Sequence, residues 1–358
     1  MKKLISIFLC GCLVLTTIVG CAQNDLSTPS TEETTLSSDE STYSDDEIIT
    51  SSDKISIITT IFAPYDFTRE IVGDNAEVTM LLPPGSESHS YEPSPRDIIK
   101  IQDCDVFIHV GGPSDSWLTE ILESIDTSNT KIITLMDCVE VVEEELVDGM
   151  EHGHDDHVHS DDTHDEGEHG DDDDSDVHDD EARELDEHVW TSPKNAKLIV
   201  SNISKILCEL DSDNAATYQK NTTAYLEQLT ELDNIFHEVV DTGVRNTIIF
   251  GDRFPFRYLA DAYGLEYFAA FPGCSTETEP SAATISFLID TITAEDIPVV
   301  FHAELSNMKM ANTISEATGA KVLLMHSCHN VTKNELQEGV SYIELMKQNA
   351  HNLKEALD

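Results

Sequence analysis

Residues 151–180 hold seven of the chain's 15 histidines, His152, His154, His157, His159, His164, His169 and His178, together with fifteen acidic residues and no Lys or Arg. Imidazole and carboxylate at this density are the donors that bind divalent transition metals, and imidazole in particular suits zinc. Val158 and Val177 are the only aliphatic residues in the run. Such a segment cannot bury enough apolar surface to offset the entropy of ordering it. It is expected to be a mobile loop with several weak metal sites. The plainer alternative, an acidic solvated linker, has no need of histidine.

Two isolated histidines stand in better-defined surroundings. His89 follows Leu82-Pro83-Pro84-Gly85, on a turn just past the carboxyl end of a predicted strand. His188 lies in Asp186-Glu187-His188-Val189-Trp190-Thr191-Ser192-Pro193, immediately before a predicted helix with Pro in its favoured first-turn position. The sequence contains neither Gly-x-Ser-x-Gly nor a Walker loop nor His-Glu-x-x-His, so hydrolase, nucleotide-binding and zinc-protease readings have no motif to stand on. The chain is read as non-enzymatic.

The rest of the chain must position these groups. Lys2 and Lys3 precede an apolar stretch, Leu4 to Val19, with the charge layout of an export signal. Residues 1–20 are therefore expected to be a signal peptide. Residues 22–53 carry fourteen Ser or Thr, nine acids and no base, the composition of a self-repelling disordered tether; the tether is taken as 21–53. From Lys54 to Asp358 there are 305 residues, enough for two lobes. The formal net charge of -50 argues against a nucleic-acid partner. Outside the export signal and Cys21, five cysteines remain, Cys104, Cys138, Cys208, Cys274 and Cys328. An odd number at wide spacing is no disulfide framework.

Strands are predicted at 55–61, 77–82, 105–110 and 131–135, with helices between them. After the acidic loop come a helix from Ser192-Pro193 to about Glu209 and a second from about Asn214 to Val240. The second has Tyr218, Tyr225, Leu229, Leu232, Phe236 and Val239 at helical spacing. Strands at 247–250, 267–271, 298–302 and 321–325 then alternate with helices, and a last helix runs from Gly339 to Leu357. The fold class is α/β: two Rossmann-like lobes with parallel sheets, joined by one long helix, with a cleft at the strand carboxyl ends where open parallel sheets bind ligands. The boundaries read 54–205 for the first lobe (its acidic loop spanning 139–185), 206–243 for the linking helix and 244–358 for the second lobe.

Ile18-Val19-Gly20-Cys21 resembles a bacterial lipobox, which implies cleavage before Cys21 and lipidation of its sulfur. Pro-Pro-Gly followed by His89-x-Tyr91, and acidic-x-His-x-Trp-x-Ser-Pro around His188, occur here in that order with the His-rich run directly before the second motif. Together they resemble the metal-binding lipoproteins of zinc and manganese ABC importers. The resemblance spans the chain from Lys54 onward, and the loop's placement is typical of the zinc branch.

The resemblance implies one rigid helix between the lobes and a metal in the cleft with two ligands from each lobe. His89 and His188 match the first pair. The third is usually His or Glu ahead of an aromatic-x-aromatic helix start; aligned on Phe256 and Tyr258, that position holds Arg253, which cannot ligate. Asp252 beside it is taken as the third ligand. The fourth is commonly a carboxylate after the last strand, where His326 stands here; His329 and Cys328 are alternatives on the same loop. His302 and Glu304 resemble a family strand ending in an acid and are expected to orient a ligand from behind. Glu277 and Glu279 are expected to cap a helix. Cys274 and Cys328 both follow strands in the second lobe, and either a disulfide between them or a thiolate near the metal is expected.

The implied function is capture of Zn2+ (Mn2+ being the alternative) by a monomeric lipoprotein anchored through Cys21 outside the bacterial cell membrane, and its delivery to an ABC permease and its ATPase. An adhesin or zinc scavenger that feeds no permease is the rival from another class.

Overall fold

A computed structural model describes residues 54–87, 91–150, 184–275 and 280–358. The export signal, tether, Cys21, His89, the seven loop histidines, Glu277 and Glu279 lie outside them.

The first lobe is a four-stranded parallel sheet. Strand β1 (Ser56–Thr59) is flanked by β2 (Glu77–Met80) and β3 (Val106–His109), and β4 (Lys131–Thr134) pairs with β3, giving the order β2-β1-β3-β4. Helices α1 (Phe62–Val72), α2 (Pro95–Asp103) and α3 (Ser116–Ser124) make the connections. Local chemistry fixes their starts. Ser94 caps α2 through a reciprocal box with Asp97, followed by Pro95 in the first turn.

The second lobe repeats the plan. Strand β5 (Thr247–Phe254) lies between β6 (Glu266–Pro272) and β7 (Val299–His302), and β8 (Lys321–Leu324) pairs with β7, giving β6-β5-β7-β8. In both sheets the strand order reverses beside the first strand, the switch point at which the connections leave a crevice open.

Two helices intervene between the lobes, α4 (Pro193–Leu210) and α5 (Ala215–Thr242). The break expected between a helix to about Glu209 and a second from about Asn214 lies here, and the linking segment taken as 206–243 begins inside α4. Residues up to Leu210 belong to α4, and the chain breaks at 211–214, where Asp211 accepts from Asn214 and Tyr218 and turns the backbone. The 28 residues of α5 span roughly 42 Å at 1.5 Å per residue. Helices α6 (Arg257–Tyr263), α7 (Ala282–Glu295) and α8 (Lys309–Thr318) cover the second sheet. The expected final helix is α10 (Tyr342–Leu357), started by a Ser341–Glu344 capping box; a short unexpected helix, α9 (Lys333–Glu338), precedes it and ends at Gly339, whose left-handed φ of 76° suits a residue without Cβ.

One apolar core runs through both lobes, from Ile57 and Phe67 past Tyr225 and Phe236 of α5 to Phe250 and Leu353. Polar stitching reinforces it. Fully buried Asp66 of α1 accepts from the Tyr342 backbone N–H at 2.7 Å, and Arg69 donates to the Val340 carbonyl at 2.7 Å. Tyr342 in turn donates to the Trp190 carbonyl at 2.8 Å. These bonds bind the last helix of the second lobe to the first helix of the first.

Candidate metal centre

His188 is the best-defined donor. It ends the segment that leads into α4 and is fully buried. The carboxylate of Asp186 accepts from its backbone N–H at 2.8 Å and stands 3.0 Å from its Nδ1. An Nδ1–H bonded to a carboxylate sets the tautomer with the acceptor lone pair on Nε2, the arrangement that metal-binding histidines adopt. Burial pulls the His188 pKa down, but Asp186, its hydrogen bond and then Glu187 and Glu144 outweigh this and hold it above the ordinary imidazole value. Glu187 ties this segment to the first lobe, taking the Ser114 N–H at 2.8 Å and the Ser114 hydroxyl. A Cβ at Gly112 would collide with Glu187, so the close approach needs glycine there.

His329 comes from the loop after β8. Its ring meets His188 at 5.6 Å between centroids, nearly perpendicular at 86°, and Trp190 at 4.9 Å. Its carbonyl accepts from the Phe62 N–H at 2.9 Å, which pins the loop to α1. Glu304, just past β7, holds the same loop, accepting from the Ser327 N–H (2.7 Å), the Ser327 hydroxyl (2.6 Å) and the His329 N–H (3.2 Å). Glu304 thus holds the loop by its backbone and the Ser327 hydroxyl. The Nδ1 of His302 lies 2.8 Å from the Ala303 carbonyl.

His188 and His329 line one cavity of about 470 Å³, with Glu87, Asp252, Arg253, Gly273, Glu304 and Lys309 among its other walls. Asp252 sits where β5 slips register against β6, between Phe250 and Arg253. Both of its oxygens serve backbone, Oδ1 the Arg253 N–H (2.9 Å) and Oδ2 the Ala303 N–H (3.1 Å). Arg253 pairs with Glu87 at 3.3 Å.

His326 is not among the cavity's walls. Its backbone is held by Asn349, and its Nδ1 accepts from the Cys328 N–H at 3.0 Å. Cys328 has a positive φ of 61°, and this left-handed turn reverses the loop so that His329 faces the cleft.

The expected disulfide is absent: Cys274 and Cys328 are both free thiols. Cys328 is fully buried behind the loop, whereas Cys274 lies beside Glu187 and His188, their donor atoms all within 4.8 Å of one another. In the metal-free protein, burial pushes both the Cys274 thiol and the Glu187 carboxyl upward, toward their protonated forms. Sequence reasoning missed Glu87 as a cavity wall; an acid four residues after Pro83 carries no signal of its own.

Two parallel-sheet lobes, a helical strut and paired imidazoles in the crevice define an extracytoplasmic solute-binding protein of the metal-binding kind. More particularly, the chain belongs to the ZnuA family, zinc-uptake complex component A, periplasmic, whose sequence profile matches residues 57–356. It is 31% identical over 304 residues to the high-affinity zinc uptake system protein ZnuA of Bacillus subtilis, covering 85% of this chain and 88% of that one. It is likewise 31% identical over 310 residues to the zinc-binding lipoprotein AdcA of Streptococcus pneumoniae, of which it spans 56%. Among solved structures, the metal-dependent lipoprotein YcdH of Bacillus subtilis matches with a TM-score of 0.67 at 28% identity, over 85% of this chain and all of that one. Zn(II)-bound AdcA matches with a TM-score of 0.66 at 28% identity, over 85% of this chain and 58% of that one.

Proposed function

We propose that this protein captures Zn2+ in the interlobe cavity outside the cell membrane and delivers it to an ABC permease driven by its ATPase. The observation that carries this is the His188–His329 pair. Two imidazoles sharing one tetrahedral zinc, with Zn–N of about 2.0–2.1 Å, place their ring centroids roughly 5 Å apart. The 5.6 Å separation and near-perpendicular rings fall close to that arrangement. His89, from the motif that resembles the family's first ligand, adds a third imidazole. His329 takes the place that sequence alone assigned to His326, and Asp252 shapes the wall, its oxygens being given to backbone N–H groups.

Nitrogen donors favour zinc over manganese, which prefers oxygen. The role is capture and release, without catalysis, by a monomer held at the membrane through lipid on Cys21. The His-rich run supplies weak accessory sites that raise the local zinc concentration. The test is competition of the purified protein with a chromophoric zinc chelator. His188→Ala and His329→Ala should each lower the affinity of the tight site at least tenfold, and His326→Ala should leave it within about twofold. Tight binding that survives both of the first two substitutions removes the cleft from consideration.

A further inference from the structure

The cavity is too large for its metal. At about 470 Å³ it falls in the range of small-molecule sites, ~300–1,000 Å³, whereas one water occupies about 30 Å³. Its walls include Phe271, Ile285 and Met310 beside the charged groups. Two cations, Arg253 and Lys309, face it along with three acids, Glu87, Asp252 and Glu304. Arg253 stands at the end of β5, where the resemblance implies a metal ligand. Guanidinium cannot ligate a metal, but it presents a planar fork of donors that matches a carboxylate.

The neighbouring acids leave Arg253 available for such a partner. Asp252 and Glu304 each engage both oxygens with the local backbone or Ser327. Among the described residues, Glu87 pairs with the guanidinium at 3.3 Å, with 47% of its side chain exposed. An exposed pair of this kind adds little stability, so a better-placed carboxylate displaces it readily. Gly273 packs closely between the Phe254 carbonyl and the His188 ring: a Cβ there would lie 2.9 Å from one and 3.1 Å from the other. Arg253 and His188 line the same cavity.

We propose that the cleft takes its metal together with a small carboxylate chelator, an α-amino or α-hydroxy acid whose carboxylate pairs with Arg253 while its second donor completes the coordination shell. The inference rests on the reading of the cleft as the metal-capture site. The protein supplies imidazoles and the chelator supplies the remaining oxygen or nitrogen. Arg253 thereby decides that the cargo is a complex, with the naked ion bound less tightly.

The test is equilibrium dialysis of the full chain with one equivalent of zinc and radiolabelled L-histidine or citrate as probes. Retention of one probe at one per protein, only when zinc is present, is expected. Arg253→Ala should lower probe retention at least tenfold while one zinc still binds, and Arg253→Lys should recover part of it, since a point charge replaces the fork. Thermal melting checks that both variants fold. If zinc binds one-to-one and neither probe is retained, the chelator idea is overturned and zinc capture stands. Probe retained equally by His188→Ala belongs to the acidic loop and also overturns it. Zinc binding indifferent to His188→Ala overturns the capture reading beneath it.

Discussion

Asp186 holds His188 twice, through the backbone N–H at 2.8 Å and through the ring Nδ1 at 3.0 Å, with both side chains buried. The two residues are separated by Glu187 alone, so the carboxylate locks the peptide and the ring of the same residue. A ring fixed in this way presents one nitrogen in one direction and loses no rotamer freedom when a metal arrives.

Asp186→Asn should therefore weaken zinc binding by 10–100-fold, the usual cost of removing the partner behind a metal-bound imidazole. The amide retains an acceptor oxygen but can turn its NH2 toward Nδ1, which favours the wrong tautomer. Competition titration measures the loss. Circular dichroism of the variant should match the parent, because Asp186 also keeps its backbone bonds to Val142 and Tyr258.

Gly273→Ala tests the packing behind the same ring. The new methyl would sit 2.9 Å from the Phe254 carbonyl and 3.1 Å from His188 Cε1. Neither is a flexible chain end: one is backbone, and the other is a buried ring held by Asp186. Overpacking of this kind costs about 1–3 kcal/mol. A fall in melting temperature together with at least a tenfold loss of zinc affinity is expected. Unchanged affinity would show that the ring tolerates displacement.

The seam between the lobes should carry its own pH dependence. Burial raises the Asp66 pKa from 3.8 to about 6, against the opposing pull of Arg69 and the Tyr342 N–H and with a smaller push from Glu70. Tyr225 also faces it, at 3.4 Å. Because the folded value lies above the unfolded one, the associated stability is fully present below pH 3.8 and is lost as pH rises through about 6. A displacement of this size corresponds to on the order of 3 kcal/mol. Asp66→Asn cannot titrate, so the melting temperature of the parent relative to this variant should fall between pH 4 and pH 7 (about 3 kcal/mol at most). A constant difference over that range would contradict the assignment.

The lobes and the His188 motif were legible from local pattern. Strand runs such as Ile55–Thr59 and the heptad-like spacing from Tyr218 to Val239 report burial directly, and Pro193 marks the start of α4. That His329 lines the cavity and His326 does not was not legible. It depends on the left-handed backbone of Cys328 at φ 61°, a conformation that side chains rarely adopt and that sequence does not signal for cysteine. Nor does spacing reveal that Glu304 supports a loop 23–25 residues further on. Both are tertiary facts, set by how β7 and β8 lie side by side. The break between α4 and α5 was legible, because the Asp211–Asn214 cluster is turn chemistry between two runs of helical patterning.

Glu304 offers the sharpest separation of support from ligation. Its two oxygens take three donors from the loop that carries His329: the Ser327 N–H and hydroxyl and the His329 N–H. Glu304→Gln keeps the shape but leaves one oxygen and one NH2 group. The NH2 must face either the Ser327 N–H or the pair formed by the Ser327 hydroxyl and the His329 N–H, and it cannot accept from an N–H donor. A charge-assisted bond is lost, at about 1.5–3 kcal/mol. The loop should loosen, with a lower melting temperature for the metal-free protein and roughly tenfold weaker zinc binding. Glu304→Asp keeps the charge but shortens the reach, so it should impair binding as well. If Glu304 were instead a direct ligand, Gln would abolish tight binding while the metal-free protein melted as before. Measuring affinity and metal-free melting on the same variant therefore separates the two roles.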